Sequence, residues 1–136
     1  MGVSRRFEAM GQRDEGGFIA FGEALKLQNG IGRQVTEARA RALAQRFIEG
    51  LKKIDDVRIW THPSPERSAA IVTFLPGKAN PAKLAAALYE KEHIVTNARG
   101  SGVRGGIRLS PHFYVLQEEV DRTLAAIRNY IAAMSG

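Results

Sequence analysis

The chain has 136 residues, 44% hydrophobic and 25% charged, with 20 Lys and Arg against 14 Asp and Glu. That is the balance of one ordinary soluble domain, long enough to bury roughly two-thirds of its unfolded surface without a staple. The cysteine count of zero excludes disulfides, thiolate catalysis and Cys-zinc sites. His62, His93 and His112 lie too far apart to offer a ligand pair at helical spacing, so no metal is expected. The net charge of +6 is spread along the chain instead of forming one block. No stretch approaches the roughly 18 apolar residues of a membrane span, and no secretory apolar region follows Met1. A cytoplasmic protein without a membrane partner is expected.

Residues 1–15 show charge without a sustained period and read as an arm or junction segment, leaving 16–136 as a single domain. From Gly16, the apolar residues Phe18, Phe21 and Leu25 recur at helical spacing, and Asn29-Gly30 predicts the stop. A longer helix over about 34–53 carries the stripe Val35, Ala38, Ala42, Leu43, Phe47, Leu51 and Ile54. The alternation in Val57-Arg58-Ile59-Trp60 predicts a strand, the Pro-rich stretch Thr61 to Arg67 a loop, and Ala69 to Leu75 a second strand. Asn80-Pro81 predicts a helix start, with the amide oxygen as cap and proline in the first turn. His93 to Asn97 and Ile107 to Ser110 read as two further strands around a glycine-rich turn. Val120, Leu124, Ile127, Ile131 and Met134 mark a terminal helix. Strands joined by such short turns favour antiparallel pairing, so the expected fold is α+β: a small antiparallel sheet of three to four strands with helices packed on one face.

Two features invite a chemical reading. Gly100-Ser101-Gly102-Val103-Arg104-Gly105 matches the dinucleotide pattern G-x-G-x-x-G, but that fingerprint must open a helix whose amides hold a pyrophosphate. Here it leads into a strand, so a hairpin turn is the better reading. The same segment holds Arg99, Arg104 and Arg108 with no carboxylate between Glu92 and Glu118. An arginine fork grips a carboxylate or phosphate through two parallel hydrogen bonds, whereas a lone arginine on an edge strand is more often just solvated. RNA binding would require aromatic side chains interleaved with the cations for stacking, and none lies between Tyr89 and Phe113.

Gly11-Gln12-Arg13-Asp14, the helix ending near Leu27-Gln28, Ala69-Ala70-Ile71-Val72-Thr73-Phe74, and Ile107-Arg108-Leu109-Ser110-Pro111-His112-Phe113-Tyr114 followed by Glu118-Glu119-Val120-Asp121 run in a familiar order. The chain resembles the class V aminotransferases over nearly its whole length. It is similar to the C-terminal small domain of the branch holding isopenicillin N epimerase, selenocysteine lyase and cysteine desulfurase-like enzymes. These are fold type I enzymes that use pyridoxal 5'-phosphate. The resemblance implies that Arg108, just before Ser-Pro-His, binds the substrate α-carboxylate, and that Gln12 and Arg13 lie near the cofactor phosphate, Gln12 standing where the family has Thr. It further implies an amino-acid substrate, a homodimer in the full-length enzyme, and a missing large domain that binds the cofactor.

None of the lysines has the context of the family's Schiff-base lysine, so no catalytic residue is expected in this chain. A fragment inactive by itself follows, with no covalently bound cofactor. Where the family has Asn-Thr capping the last helix, this chain has Val115-Leu116. The alternative is a stand-alone basic module that binds an anion or RNA.

Overall fold

The structure is a computed structural model that describes residues 14–100 and 105–135. Gln12 and Arg13 lie outside the described residues. The chain divides into two compact units between Val35 and Thr36.

In the first unit, α1 (Glu15–Ile31) opens on Asp14, whose carboxylate accepts a hydrogen bond from the Gly17 N–H at 2.9 Å. This satisfies one of the amide donors left over at a helix start. The helix passes the expected Asn29-Gly30 stop and ends at Gly32, which takes φ +98° while its N–H bonds to the Gln28 carbonyl at 3.0 Å. A residue without Cβ reaches that backbone angle at little cost, which is why the second of two closely spaced glycines, not the first, terminates the helix. The apolar stripe is present, yet no residue of α1 is buried, and Phe18, Ile19, Phe21 and Leu27 are all exposed.

α2 (Arg33–Leu51) brings Leu43, Ala44, Phe47, Ile48 and Leu51 into the core of the second unit. A tight turn through Asp56, at φ +61°, feeds β1 (Val57–Ile59). After the loop and a short 3-10 turn at Pro65–Arg67 comes β2 (Val72–Pro76). The strand expected from Ala69 begins three residues later. The preceding backbone is held instead by Arg41, whose guanidinium donates to the carbonyls of Pro65 and Ser68.

α3 (Pro81–Glu92) starts as expected, the Asn80 amide oxygen accepting from the N–H groups of Ala82 and Lys83. It closes on His93 in the left-handed region, φ +55°, with the Ile94 N–H reaching back to the Leu88 carbonyl at 3.0 Å. This closing turn uses up the residues where a strand was expected, so β3 is Asn97–Arg99 and not 93–97. β4 (Gly106–Leu109) and α4 (Gln117–Ser135) complete the fold.

The four strands form one antiparallel sheet in the order β1-β2-β4-β3. Side chains alternate between its faces. Val72, Phe74, Ile107 and Leu109 point to one face, each no more than 4% exposed. They share a core cluster with α2, with Leu84 and Leu88 of α3, and with Val120, Leu124, Ile127 and Ile131 of α4. The Met134 side chain is not among those described. The α+β class and the antiparallel sheet therefore agree with the expectation.

The missing threonine cap of α4 has a substitute. The Glu119 carboxylate accepts from the Leu116 N–H at 2.8 Å, while the Leu116 carbonyl accepts from the Val120 N–H. That is the backward half of a capping box, supplied by the third helical residue when the cap residue has no polar side chain.

Candidate functional site

The opposite face of the sheet is polar. Strand register places Thr73 opposite Arg108 and Arg108 opposite Asn97, so the three form one row across β2, β4 and β3. Arg99, two residues beyond Asn97, is diagonal to Arg108 on that face, and diagonal neighbours of this kind lie roughly 7–8 Å apart, within reach of long side chains. Trp60 extends the row past the end of β1, its N–H bonding to the Thr73 carbonyl at 2.8 Å. These elements leave an open cleft lined by Trp60, Thr61, Thr73, Arg99 and Arg108.

The walls of the cleft are held by their own hydrogen bonds. The Trp60 indole N–H donates to the Gly105 carbonyl at 3.2 Å, tying the end of β1 to the start of β4. The Arg58 guanidinium lies over the Trp60 ring, 4.4 Å from its centroid. Such a cation–π contact contributes roughly 0.5–1 kcal/mol at an exposed site. The Thr61 hydroxyl accepts from the Thr73 N–H at 2.8 Å and donates to the Ile71 carbonyl at 3.3 Å, continuing the β1–β2 ladder with a side chain.

Arg108 is half-buried, and its Nε is buried without a hydrogen-bond partner among the described residues. A buried donor left unpaired costs about 1–3 kcal/mol relative to a paired one. No described carboxylate forms an ion pair with Arg108 or Arg99, although other arginines and lysines do pair on the surface, as Arg46 does with Asp121. The cleft therefore presents two guanidiniums and no acid, with one donor already desolvated. Chemically, it can receive an anion.

The remaining candidates behave differently. Nδ1 of His62 accepts from the Ser64 N–H at 3.1 Å and Nε2 lies 3.0 Å from Arg67, which places this ring within its loop. His112 makes ring contacts with Phe113 and Tyr114 and does not line the Arg108 cleft. Gly105 and Gly106 of the glycine-rich segment lead into β4, and β3 and β4 pair as a hairpin. No group of three or more metal-ligating side chains occurs among the described residues. A second depression beside α4 includes Glu119, Arg122 and Thr123. Their polar atoms serve the fold: Glu119 as a cap, Arg122 on the Glu92 carbonyl, and Thr123 on the Glu119 carbonyl.

All six lysines, Lys26, Lys52, Lys53, Lys78, Lys83 and Lys91, are exposed, and none lines the Arg108 cleft. A Schiff-base lysine needs a desolvated or cation-flanked amine, so these residues do not fit covalent attachment of pyridoxal phosphate. Sequence reasoning singled out Arg108 but missed Trp60 and Thr61 as walls, because the pairing of β1 with β2 brings them there. The row Trp60, Thr73, Arg108 follows from that alignment, and no local pattern in the sequence announces it.

Over 124 residues the chain is 30% identical to the isopenicillin N epimerase of Streptomyces clavuligerus, covering 90% of this chain and 31% of that protein. It is 27% identical over 139 residues to a probable cysteine desulfurase of Vibrio cholerae, covering 96% of this chain and 33% of that one. Its fold is similar to a cysteine desulfurase from Thermococcus onnurineus NA1, with a TM-score of 0.83 and 23% identity over 90% of this chain and 32% of that structure. The chain thus spans about a third of the length of these relatives. The family description Aminotransferase class-V matches residues 2–123, and the chain belongs to the class V aminotransferase family.

Proposed function

We propose that this chain is the C-terminal small domain of a pyridoxal-phosphate enzyme, in which Arg108 holds the α-carboxylate of an amino-acid substrate. One observation carries the reading. A half-buried arginine lines an open cleft, its Nε unpaired and no carboxylate beside it among the described residues. Two parallel N–H bonds from one guanidinium fix both the position and the plane of a carboxylate. With that end of the substrate held, rotation about the Cα–carboxylate axis is limited. The bond at Cα that lies favourably for cleavage is thereby selected by orientation. Trp60, held by Gly105 and stacked under Arg58, supplies a flat wall that restricts the approach.

The cofactor, when bound to the complete enzyme, supplies the electron sink for chemistry at Cα. The lysine and ring contacts it needs belong to the large domain in this reading, consistent with the exposed lysines here and the share of the relatives' length that the chain spans. By itself the chain performs no reaction. Gln12 and Arg13 remain the candidates for contacting the cofactor phosphate, within a homodimer. The relatedness to isopenicillin N epimerase favours an epimerase-like enzyme within the family.

The test is Arg108→Ala in the protein joined to its cofactor-binding domain. Loss of a charge-assisted bidentate contact worth roughly 1.5–3 kcal/mol lowers kcat/KM for the amino acid about 10- to 150-fold. The cofactor's absorbance band stays in place. A variant that turns over substrate like the parent overturns the assignment. Salt-dependent binding of oligonucleotides by the isolated chain would instead favour the basic-module reading.

A further inference from the structure

The open face of the sheet carries more positive charge than one carboxylate can neutralise. Arg108 and Arg99 both line the cleft, on adjacent strands and diagonal in register. Arg58, on β1, lies over Trp60 at the edge of the same cleft. Arg58, Arg99 and Arg108 form no ion pair with a described carboxylate, and the cleft lining includes no acid. Like charges gathered on one face without counter-charge raise the local positive potential and repel one another until anions neutralise them. A monocarboxylate seated on Arg108 relieves half of the Arg99–Arg108 pair. A short ligand with an anion at each end relieves both.

We propose that Arg99 is a specificity-determining residue that binds a second acidic group, so that the preferred amino acid carries an anionic side chain in addition to its α-carboxylate. This rests on the reading of Arg108 as the carboxylate site. The two arginines divide the work by environment. Arg108 is half-buried with a desolvated Nε, whereas Arg99 is exposed. The inner guanidinium fixes the invariant end of the ligand, and the outer, exposed one selects among side chains by charge. Arg99 sits two residues before the glycine-rich turn, at the end of β3. Its backbone is anchored by pairing with Gly106, which keeps its guanidinium over the same face as Arg108.

The experiment uses the 136-residue chain, with the arginine Nε–Hε signals followed by NMR during titration with acetate and, separately, glutarate. The expected result is a shift of the Arg108 signal with both ligands, and a Kd for glutarate about tenfold or more below that for acetate. In Arg99→Ala this ratio falls to near 1. In Arg99→Lys, which keeps the charge but loses the fork, part of it survives. A parent ratio near 1, or a ratio undiminished in Arg99→Ala, overturns the role of Arg99 while leaving the Arg108 reading standing. An Arg108 signal indifferent to both ligands overturns the carboxylate reading, and the role of Arg99 falls with it.

Discussion

The two faces of the four-stranded sheet differ by one position in the same strands. In β2, Val72 and Phe74 are buried and Thr73 between them is not; in β4, Ile107 and Leu109 are buried and Arg108 between them is only half so. Strand alternation therefore seats a fully packed hydrophobic layer directly behind a cationic cleft. The packed face makes the cleft rigid, because the backbone carrying Arg108 is clamped on both sides by β2 and β3. Such a scaffold holds a guanidinium in place more accurately than a loop does.

The comparison predicts that stability and recognition are separable by face. The largest effect on stability is expected from Phe74→Ala on the packed side, where a side chain with 0% exposure leaves a cavity in the hydrophobic core cluster. A loss of about 3–5 kcal/mol is expected, measurable as a lower urea midpoint with little change in the slope. Cleft-side Arg108→Ala, by contrast, should lower the unfolding free energy by under about 1 kcal/mol, since it removes an unpaired buried donor along with its alkyl packing. Equal losses from the two substitutions would break the comparison.

Gly106→Ala sharpens it. A Cβ added there would lie 2.3 Å from the Phe74 carbonyl oxygen, a backbone atom that can move only if the central ladder moves. Overpacking of this kind costs about 1–3 kcal/mol. Because Gly106 also pairs with Arg99, this variant should disturb the cleft as well as the core, and a shifted Trp60 fluorescence alongside the lower midpoint would show both.

The smallest effect is expected away from the sheet, at the ion pair joining α2 to α4. Arg46 donates through Nε and Nη2 to the two oxygens of Asp121, at 2.8 and 2.6 Å. The hydrogen bond and charge of Arg46 hold the Asp121 carboxyl below its ordinary range. The lowered folded value means the pair's contribution is present above the unfolded Asp pKa of about 3.9 and is lost as pH falls through the folded value. Asp121→Asn should therefore leave a slightly lower midpoint at pH 7 that converges with the parent's under acid. Both groups are solvent-exposed, which keeps the difference small.

Much of this arrangement was legible in the sequence where the determinants are local. Asn80-Pro81 announced the start of α3, the spacing from Val120 to Ile131 announced α4, and Arg108 stood out as a cation in a short strand ahead of Pro111. The shortfalls come from pairing and closure. Ala69, Ala70 and Ile71 have the composition of a strand, but Arg41 captures the backbone just before them. His93 to Thr96 also look extended, but His93 accepts a left-handed conformation and the helix closes over them. The stripe of α1 has helical spacing, yet periodicity states which residues could be covered and not whether anything covers them. The Arg99–Arg108 diagonal depends on how β3 slides against β4, which neither strand encodes alone.

Trp60 is the chain's single tryptophan, and it stands in the cleft wall with a cation above its ring and its indole N–H bound to Gly105. All indole emission from the polypeptide thus originates within reach of the anion cleft. The molecule carries an intrinsic optical probe at the place where a guest would enter, so occupancy can be followed without attaching a dye or supplying a cofactor.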